Sequence, residues 1–175
     1  MIREASPADA MAVAKVQVDS WRSTYPGIVP QDYLDALSYE QRATVWSTIL
    51  STATGRQFVF VAEDPDRNIV GFASGGRAKW SDSDYEGELS AIYLLESHQH
   101  KGLGRLLTAR LARHLLDEDI NSMLAWVLAA NPSRPFYEAL GARQVSERDI
   151  TIGGTKLKEV SYGWPDLNLV ALFED

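Results

Sequence analysis

Two glycines between a strand-like run and a leucine-rich helical run constrain this chain most. The apolar run ends at Leu94, and the helical run begins near Gly102. Glycines at such a junction let the main chain turn tightly, so that several N–H groups and a helix start converge on one anion. The order of strand, loop and helix predicts an α/β domain that binds a phosphate-bearing ligand. The loop consists of Gln99, His100, Lys101, Gly102, Leu103, Gly104 and Arg105.

Other glycine-containing phosphate motifs fit this loop less well. A P-loop requires Gly-Lys followed by Ser or Thr, whereas Gly104 is followed by Arg105. The dinucleotide fingerprint requires a third glycine, and Leu107 occupies that position. An ordinary glycine-capped turn from strand to helix is the structural alternative.

Length and composition limit the function classes. We expect residues 1–175 to form one domain with its own core. Without cysteine, a disulfide, a thiolate zinc site and cysteine nucleophilic catalysis are excluded. The net charge of −7 argues against a nucleic-acid partner. No apolar stretch approaches the ~18 residues of a membrane span, so we expect a cytoplasmic protein without a membrane partner. His98 and His100 suggest solvated loop residues, and no metal is expected.

The periodicity predicts a mixed, mainly antiparallel sheet flanked by helices on both faces. The predicted strands cover 1–5, 57–63, 69–79, 86–94, 123–128, 142–150 and 155–163. The predicted helices begin after Ser6, at Tyr39, at Gly102 and at Asn131, and a short turn covers 31–37. The helix over 102–117 supplies the crossover that parallel strands at 88–94 and 123–128 require.

A second segment accompanies the glycine loop. Residues 136–141 read Phe-Tyr-Glu-Ala-Leu-Gly, and Gln99, Gly102 and Gly104 fill a Gln-x-x-Gly-x-Gly pattern. In these features the chain resembles, over nearly its whole length, the GNAT superfamily of acetyl-CoA-dependent N-acetyltransferases. The resemblance implies acetyl transfer from acetyl-CoA to a primary amine by direct attack in a ternary complex. It also implies that the two parallel strands splay apart at a bulge in the first, with the pantetheine arm in the gap.

The resemblance further implies which residues contact acetyl-CoA. The strand before the loop, the loop itself, and the helix predicted from Asn131 would form the site. The implied residues are Ile92, Tyr93, Leu94, the seven residues from Gln99 to Arg105, Asn131 and Tyr137. Asn131 is expected both to cap its helix and to bind the pantetheine arm, and Pro135 before Phe136 departs from the common pattern.

Acetylation of an amine requires removal of a proton, because an amine with pKa ~10.4 is only about one part in 10³ neutral at pH 7. Glu88 is the candidate base, because the resemblance implies a carboxylate that acts through water six residues before Leu94. Strand alternation predicts that Glu88 shares a face with Ser90 and Ile92. Glu86 is an open competitor, and a solvent-facing Glu88 is the structural alternative.

The departing thiolate must be stabilised or protonated. Tyr137 is the candidate acid, which the resemblance supports. Proton transfer from a phenol of pKa ~10 to a thiolate whose conjugate thiol has a pKa of ~8.5 costs roughly 2 kcal/mol, which favours hydrogen bonding over full transfer. A half-buried packing role is the alternative.

The acceptor is a small-molecule or peptide amine that the sequence does not name. Acidic residues before the strand at 86–94 suggest a dicationic amine, against the simpler reading of a solvated loop. A non-catalytic acyl-CoA-binding module is the rival function. The apolar run 169–173 is expected to dock on the domain or on a second subunit, so a homodimer stays open. Candidate acceptor-site residues are Trp21, Tyr25, Trp80, Asp82 and Asp84.

Overall fold

A seven-stranded sheet forms the centre of the molecule. The structure, a computed structural model, describes residues 1–52, 57–79 and 84–174. The strand order is β1-β2-β3-β4-β5-β7-β6, and only β4 and β5 pair in parallel among the described strands. The predicted mixed, mainly antiparallel sheet is therefore confirmed. The strands are β1 (Ile2–Glu4), β2 (Gln57–Glu63), β3 (Ile69–Arg77), β4 (Gly87–Leu94), β5 (Met123–Leu128), β6 (Arg143–Ile152) and β7 (Thr155–Trp164).

Helices cover both faces of this sheet. They are α1 (Ala10–Thr24), α2 (Gln31–Asp35), α3 (Tyr39–Ser51), α4 (Leu103–Asp117), α5 (Arg134–Ala139) and α6 (Leu167–Ala171). The predicted start of α1 is confirmed: a 3₁₀ turn at Pro7–Asp9 leads into it, and the Ser6 N–H donates to the Asp9 carboxylate at 2.7 Å. The Asp9 carboxylate thus serves as the hydrogen-bond acceptor for the Ser6 N–H, which has no acceptor within the helix.

Three apolar clusters hold the layers together. On one face Leu107, Leu111 and Leu115 of α4 pack against β4, β5 and β7. On the other face α1 and α3 pack on β2 and β3, with Trp46 against Phe72. The third cluster joins the end of α1 and α2 to the tip of the β6–β7 hairpin. Each fully buried leucine contributes roughly 1.5–3 kcal/mol of transfer free energy.

Two helix predictions need correction. Helix α5 begins at Arg134, three residues after the predicted start at Asn131. Helix α6 was not predicted as an element: Val170 and Ala171 are buried on the domain, while Leu169 and Leu172 remain exposed. The apolar run near the C-terminus therefore docks on its own domain with one face. Among the described helices, none is long and apolar enough to cross a membrane.

Candidate active site at an opening in the sheet

Strands β4 and β5 pair over only three residues and then part. Gly87, Glu88 and Leu89 lie opposite Met123, Leu124 and Ala125, and the pairing ends there. On the other edge of β4, Ser74 of β3 lies opposite Ala91, and Gly75 lies opposite Leu89. Ser90 is therefore an extra residue, which is a β-bulge. The splay at a bulge that the resemblance implied is confirmed.

The bulge changes which side chains share a face. Glu88 lies opposite Gly76, which is on the same face of β3 as Ser74, the partner of Ala91. Glu88 thus faces α1 and α3, whereas Leu89 and Ile92 pack on the α4 side. The expectation that Glu88 shares a face with Ile92 is wrong, because one inserted residue reverses a period-2 count.

Main-chain groups of β4 face the opening. The Leu95 N–H donates to Val70 of β3, so alternation directs the main chain of Ile92 and Leu94 away from β3. The Leu94 carbonyl accepts from Ser20 Oγ at 3.3 Å and from Gln99 Nε2 at 3.2 Å. Tyr93 turns its main chain toward β3 by the same alternation. Ile92 and Leu94 can therefore offer main-chain groups to a ligand in the gap.

The glycine loop ends in the exposed N–H groups of α4. The first helical bond runs from Leu106 N to the Gly102 carbonyl at 3.1 Å, so the amides of residues 103–105 precede it. Gly102 (φ 80°) and His100 (φ 59°) have left-handed backbones that make the turn. His100, Lys101 and Arg105 are exposed, and the Arg105 guanidinium lies over the Phe173 ring.

Gly104 brings α4 close to α5. A Cβ at this position would lie 3.0 Å from the Phe136 ring and 3.4 Å from Leu94. A Cβ here would force the Phe136 ring to shift by a few tenths of an ångström, so glycine favours close packing of α4 against the helix that carries Tyr137. A bulky substitution at Gly104 would disturb this packing.

Tyrosines from both faces of the sheet meet at the opening. Tyr137 of α5 is buried on the α4 side and stacks on Tyr162 with 5.3 Å between ring centres. Burial raises the pKa of Tyr137, and Tyr93 and Tyr25 raise this pKa further. Tyr25 and Tyr93 belong to clusters on the opposite face.

Asn131 lies at the edge of the gap, just after β5. Its Nδ2 donates to the Tyr25 hydroxyl at 3.1 Å, and its Oδ1 accepts from Ser133 N at 2.8 Å. The expectation that Asn131 is the N-cap is wrong, because Ser133 holds that position and Asn131 forms an Asx turn before it.

The two candidate bases differ in their surroundings. Glu86 is exposed, and its Oε2 accepts from the Asn121 main-chain N–H at 2.7 Å, which fixes the turn before β5. Glu88 is half-buried, and its carboxylate has no hydrogen bond or ion pair within 1–52, 57–79 and 84–174. A half-buried carboxylate without a partner is available to a ligand, whereas Glu86 already has a structural role.

Aromatic side chains line the α1 side of the opening. The Trp21 ring lies 4.7 Å from Tyr25 and 6.0 Å from Tyr33. Burial raises the pKa of Tyr93, and the indole N–H of Trp21 faces the Tyr93 oxygen and partly offsets that rise. No described group completes a hydrogen bond of good geometry with this buried N–H. Asp84 is exposed, while Trp80 and Asp82 lie outside the described residues.

Comparisons with known proteins agree with this geometry. Residues 70–150 match the family model described as FR47-like protein. The uncharacterized N-acetyltransferase YuaI of Bacillus subtilis (strain 168) is 44% identical over 167 residues, which cover 95% of this chain and 94% of that protein. The chain belongs to the GNAT superfamily of N-acetyltransferases.

Solved structures share the fold of this GNAT acetyltransferase. The PaiA N-acetyltransferase of Thermoplasma acidophilum, in complex with coenzyme A, is 22% identical with a TM-score of 0.70, covering 91% of this chain and 96% of that one. The YncA protein of Salmonella typhimurium, solved with its cofactor acetyl-CoA, is 22% identical with a TM-score of 0.68, covering 95% and 93%. The ribosomal-protein-alanine N-acetyltransferase of Brucella melitensis is 21% identical with a TM-score of 0.72, covering 94% and 98%.

The GNAT acetyltransferase also has a charged pair that no sequence pattern singles out. Arg148 of β6 donates through Nε to the carboxylate of Glu159 on β7. The Arg148 guanidinium lies over the ring of Trp126, 3.9 Å from its centre.

Among the described residues, no group of three His, Asp or Glu side chains could hold a metal ion. His98 Nδ1 pairs with the neighbouring Ser97 hydroxyl instead.

Proposed function

We propose that this GNAT acetyltransferase moves acetyl from acetyl-CoA to a primary amine by direct attack, at the opening between β4 and β5. The opening itself is the observation that carries this proposal. It is the place where β4 and β5 separate, with Tyr137 on the α4 side and Glu88 facing the α1 side. A thioester in the gap is then reached by an amine from one face and by an acid from the other.

The cofactor has a complete set of main-chain partners along one path. The amides of Leu103, Gly104 and Arg105 suit the pyrophosphate, because free N–H groups at a helix start attract anions. Lys101 and Arg105 are exposed beside them and add positive charge. The main chain of Ile92 and the Leu94 N–H face away from β3 where β5 has separated, so they suit the amides of a pantetheine arm. PaiA and YncA, which share the fold, bind coenzyme A and acetyl-CoA.

Glu88 suits the role of general base. It lies opposite Leu124, where the pairing of β4 and β5 is about to end, and it points toward the α1 side of the sheet. Its carboxylate can accept the ammonium proton directly or through one water, within the geometry that general-base catalysis requires. Glu86 has its oxygen committed to Asn121.

Tyr137 suits the role of a hydrogen-bond donor to the departing sulfur. Its raised pKa keeps the phenol neutral and makes full proton transfer to a thiolate less favourable than it is for an ordinary phenol. We therefore assign Tyr137 to stabilising the thiolate by a charge-assisted hydrogen bond. The absence of cysteine from the chain excludes an acetyl-cysteine relay and supports direct attack.

Steady-state release of the coenzyme A thiol, measured with a panel of primary amines, tests this function. Direct attack predicts initial-velocity lines that intersect when both substrates are varied, and no acetylated protein by mass spectrometry. Parallel lines or an acetylated residue would contradict the ternary complex. Coenzyme A binding without thiol release for any amine would instead support a non-catalytic acyl-CoA-binding module.

A further inference from the structure

Arg148, Glu159 and Trp126 form a cluster on the face of the sheet toward which Glu88 points. Glu88 lies opposite Leu124, and Trp126 is two residues further along the same face of β5. Glu159 lies opposite both Leu128 and Arg148, so their side chains share that face. Two residues along a strand correspond to about 7 Å. Trp126 is thus about 7 Å along the sheet from Glu88 and one strand spacing, about 4.8 Å, to the side, so an acceptor with its amine near Glu88 can extend toward the Arg148–Trp126 contact.

A buried carboxylate and an indole orient the Arg148 guanidinium. Glu159 is only 7% exposed, and a buried carboxylate is costly unless a hydrogen-bonded cation compensates it. Arg148 provides this compensation through Nε, and the indole beneath its guanidinium adds a cation–π contact. Glu159 therefore holds one edge of the guanidinium, and Trp126 covers one of its faces.

The opposite edge of this guanidinium is available. The Arg148 side chain is 47% exposed, and its Nη1 and Nη2 make no hydrogen bond to any residue that the structure describes. A planar group with parallel N–H donors matches a carboxylate in a two-point contact. The contact with Glu159 uses only the Nε edge of the guanidinium, so the Nη1 and Nη2 donors are left for another partner.

We propose that Arg148, oriented by Glu159 and Trp126, binds a carboxylate of the acceptor, so that the preferred acceptors are amines that also carry a carboxylate. This inference rests on the proposed acetyl transfer and makes Arg148 a specificity-determining residue. It opposes the expectation, drawn from the acidic stretch before β4, that dicationic amines are preferred.

The test compares matched amines that differ only in the carboxylate. The probes are alanine with alaninamide, alanylalanine with its C-terminal amide, and 4-aminobutyrate with butylamine. Putrescine represents the dicationic amines. The double variant Arg148→Gln/Glu159→Gln removes both charges, so no buried carboxylate is left unpaired. Arg148→Lys keeps the positive charge without the planar fork. Lys156→Gln is the control, since it removes an exposed cation, paired with Asp149, from the same hairpin.

Each variant is compared with the wild type on each probe, which cancels the different basicities of the amines. We expect the double variant to lose at least tenfold in kcat/KM for the carboxylate member of a pair and less than twofold for the other member. The loss should be mainly in KM. Arg148→Lys should retain only part of the preference, and Lys156→Gln should change neither member.

Two results overturn the inference while leaving the proposed function intact. One is an equal loss on both members of each pair, which would indicate a structural role. The other is wild-type turnover of butylamine or putrescine that exceeds turnover of every carboxylate-bearing probe. A wild type that binds coenzyme A but acetylates no probe overturns both the function and this inference.

Discussion

Asn131 Nδ2 donates a hydrogen bond to the Tyr25 hydroxyl at 3.1 Å, across 106 positions of the chain. The contact joins the segment after β5 to the end of α1, and so it links the two sides of the opening in the sheet. Burial raises the pKa of Tyr25, so its hydroxyl stays neutral and can keep accepting this bond.

Tyr25→Phe removes the acceptor for Asn131. We expect the free energy of unfolding to fall by about 1 kcal/mol, the usual net value of one hydrogen bond, and turnover to fall several-fold because the edge of the gap loosens. Urea unfolding and thiol release measure the two effects. Tyr39→Phe is the control, because it removes a 2.6 Å phenol bond to Asp19 away from the opening. Equal effects of both variants on turnover would argue against a role for the Asn131 contact.

Glu88→Gln and Glu86→Gln separate a chemical role from a structural one. We expect Glu88→Gln to lower kcat by about 10²-fold or more, as is typical for one general base, with unchanged coenzyme A affinity. Glu86→Gln should lower stability, because it weakens a charge-assisted bond to Asn121, and leave kcat of the folded protein near the wild-type value. The reverse pattern would make Glu86 the base.

Tyr137→Phe keeps the ring stacked on Tyr162 and removes only the hydroxyl. We expect kcat to fall on the order of 10²-fold with coenzyme A affinity nearly intact. Since the pKa of Tyr137 is raised above the ordinary value near 10, the phenol is neutral throughout pH 6–9. The ratio of wild-type to variant kcat should therefore be constant over that range. A ratio of one would reduce Tyr137 to a packing residue.

The N-terminus contains an acid-sensitive contact. The Arg3 guanidinium donates to the Asp9 carboxylate at 2.8 Å, and with the Ser6 hydrogen bonds it lowers the Asp9 pKa to about 2. A carboxyl whose folded-state pKa is lowered stabilises the protein above the unfolded value of about 3.9. This stabilisation is lost as the pH falls from about 4 to about 2.

Asp9→Asn should accordingly lower the melting temperature at pH 7. It should also reduce the decrease in melting temperature between pH 4 and pH 2. Asp66→Asn, in an exposed turn, is the control and should leave both unchanged. An unaltered acid profile for Asp9→Asn would show that the Arg3 contact contributes nothing to stability.

Local patterns predicted the elements around the cofactor site. Gly102 and Gly104 define the loop, and leucines at helical spacing define α4, because turn chemistry and periodicity act over a few residues. Gly153 and Gly154, both with positive φ, form the tight turn that joins β6 to β7, and two adjacent glycines between strand-like runs are a local signal of the same kind.

The register between paired strands could not be predicted. Nothing in the sequence around Ser90 distinguishes a bulge from an ordinary strand residue. Strand alternation alone therefore places Glu88 and Ile92 on the same face, whereas the bulge puts them on opposite faces. Trp126, Arg148 and Glu159 come from three strands, and only the register of the sheet brings them together. The packing of Gly104 on Phe136 likewise depends on how α4 and α5 meet.

The central claim is that the gap between β4 and β5, with the start of α4, holds coenzyme A. Amide chemical shifts of ¹⁵N-labelled protein, followed during titration with coenzyme A, test it most directly. With coenzyme A bound in this gap, we expect the largest shifts at residues 102–105, at Ile92 and Leu94, and at the side-chain amide of Asn131. Binding that leaves these amides unchanged and shifts others, or no binding at all, would contradict it.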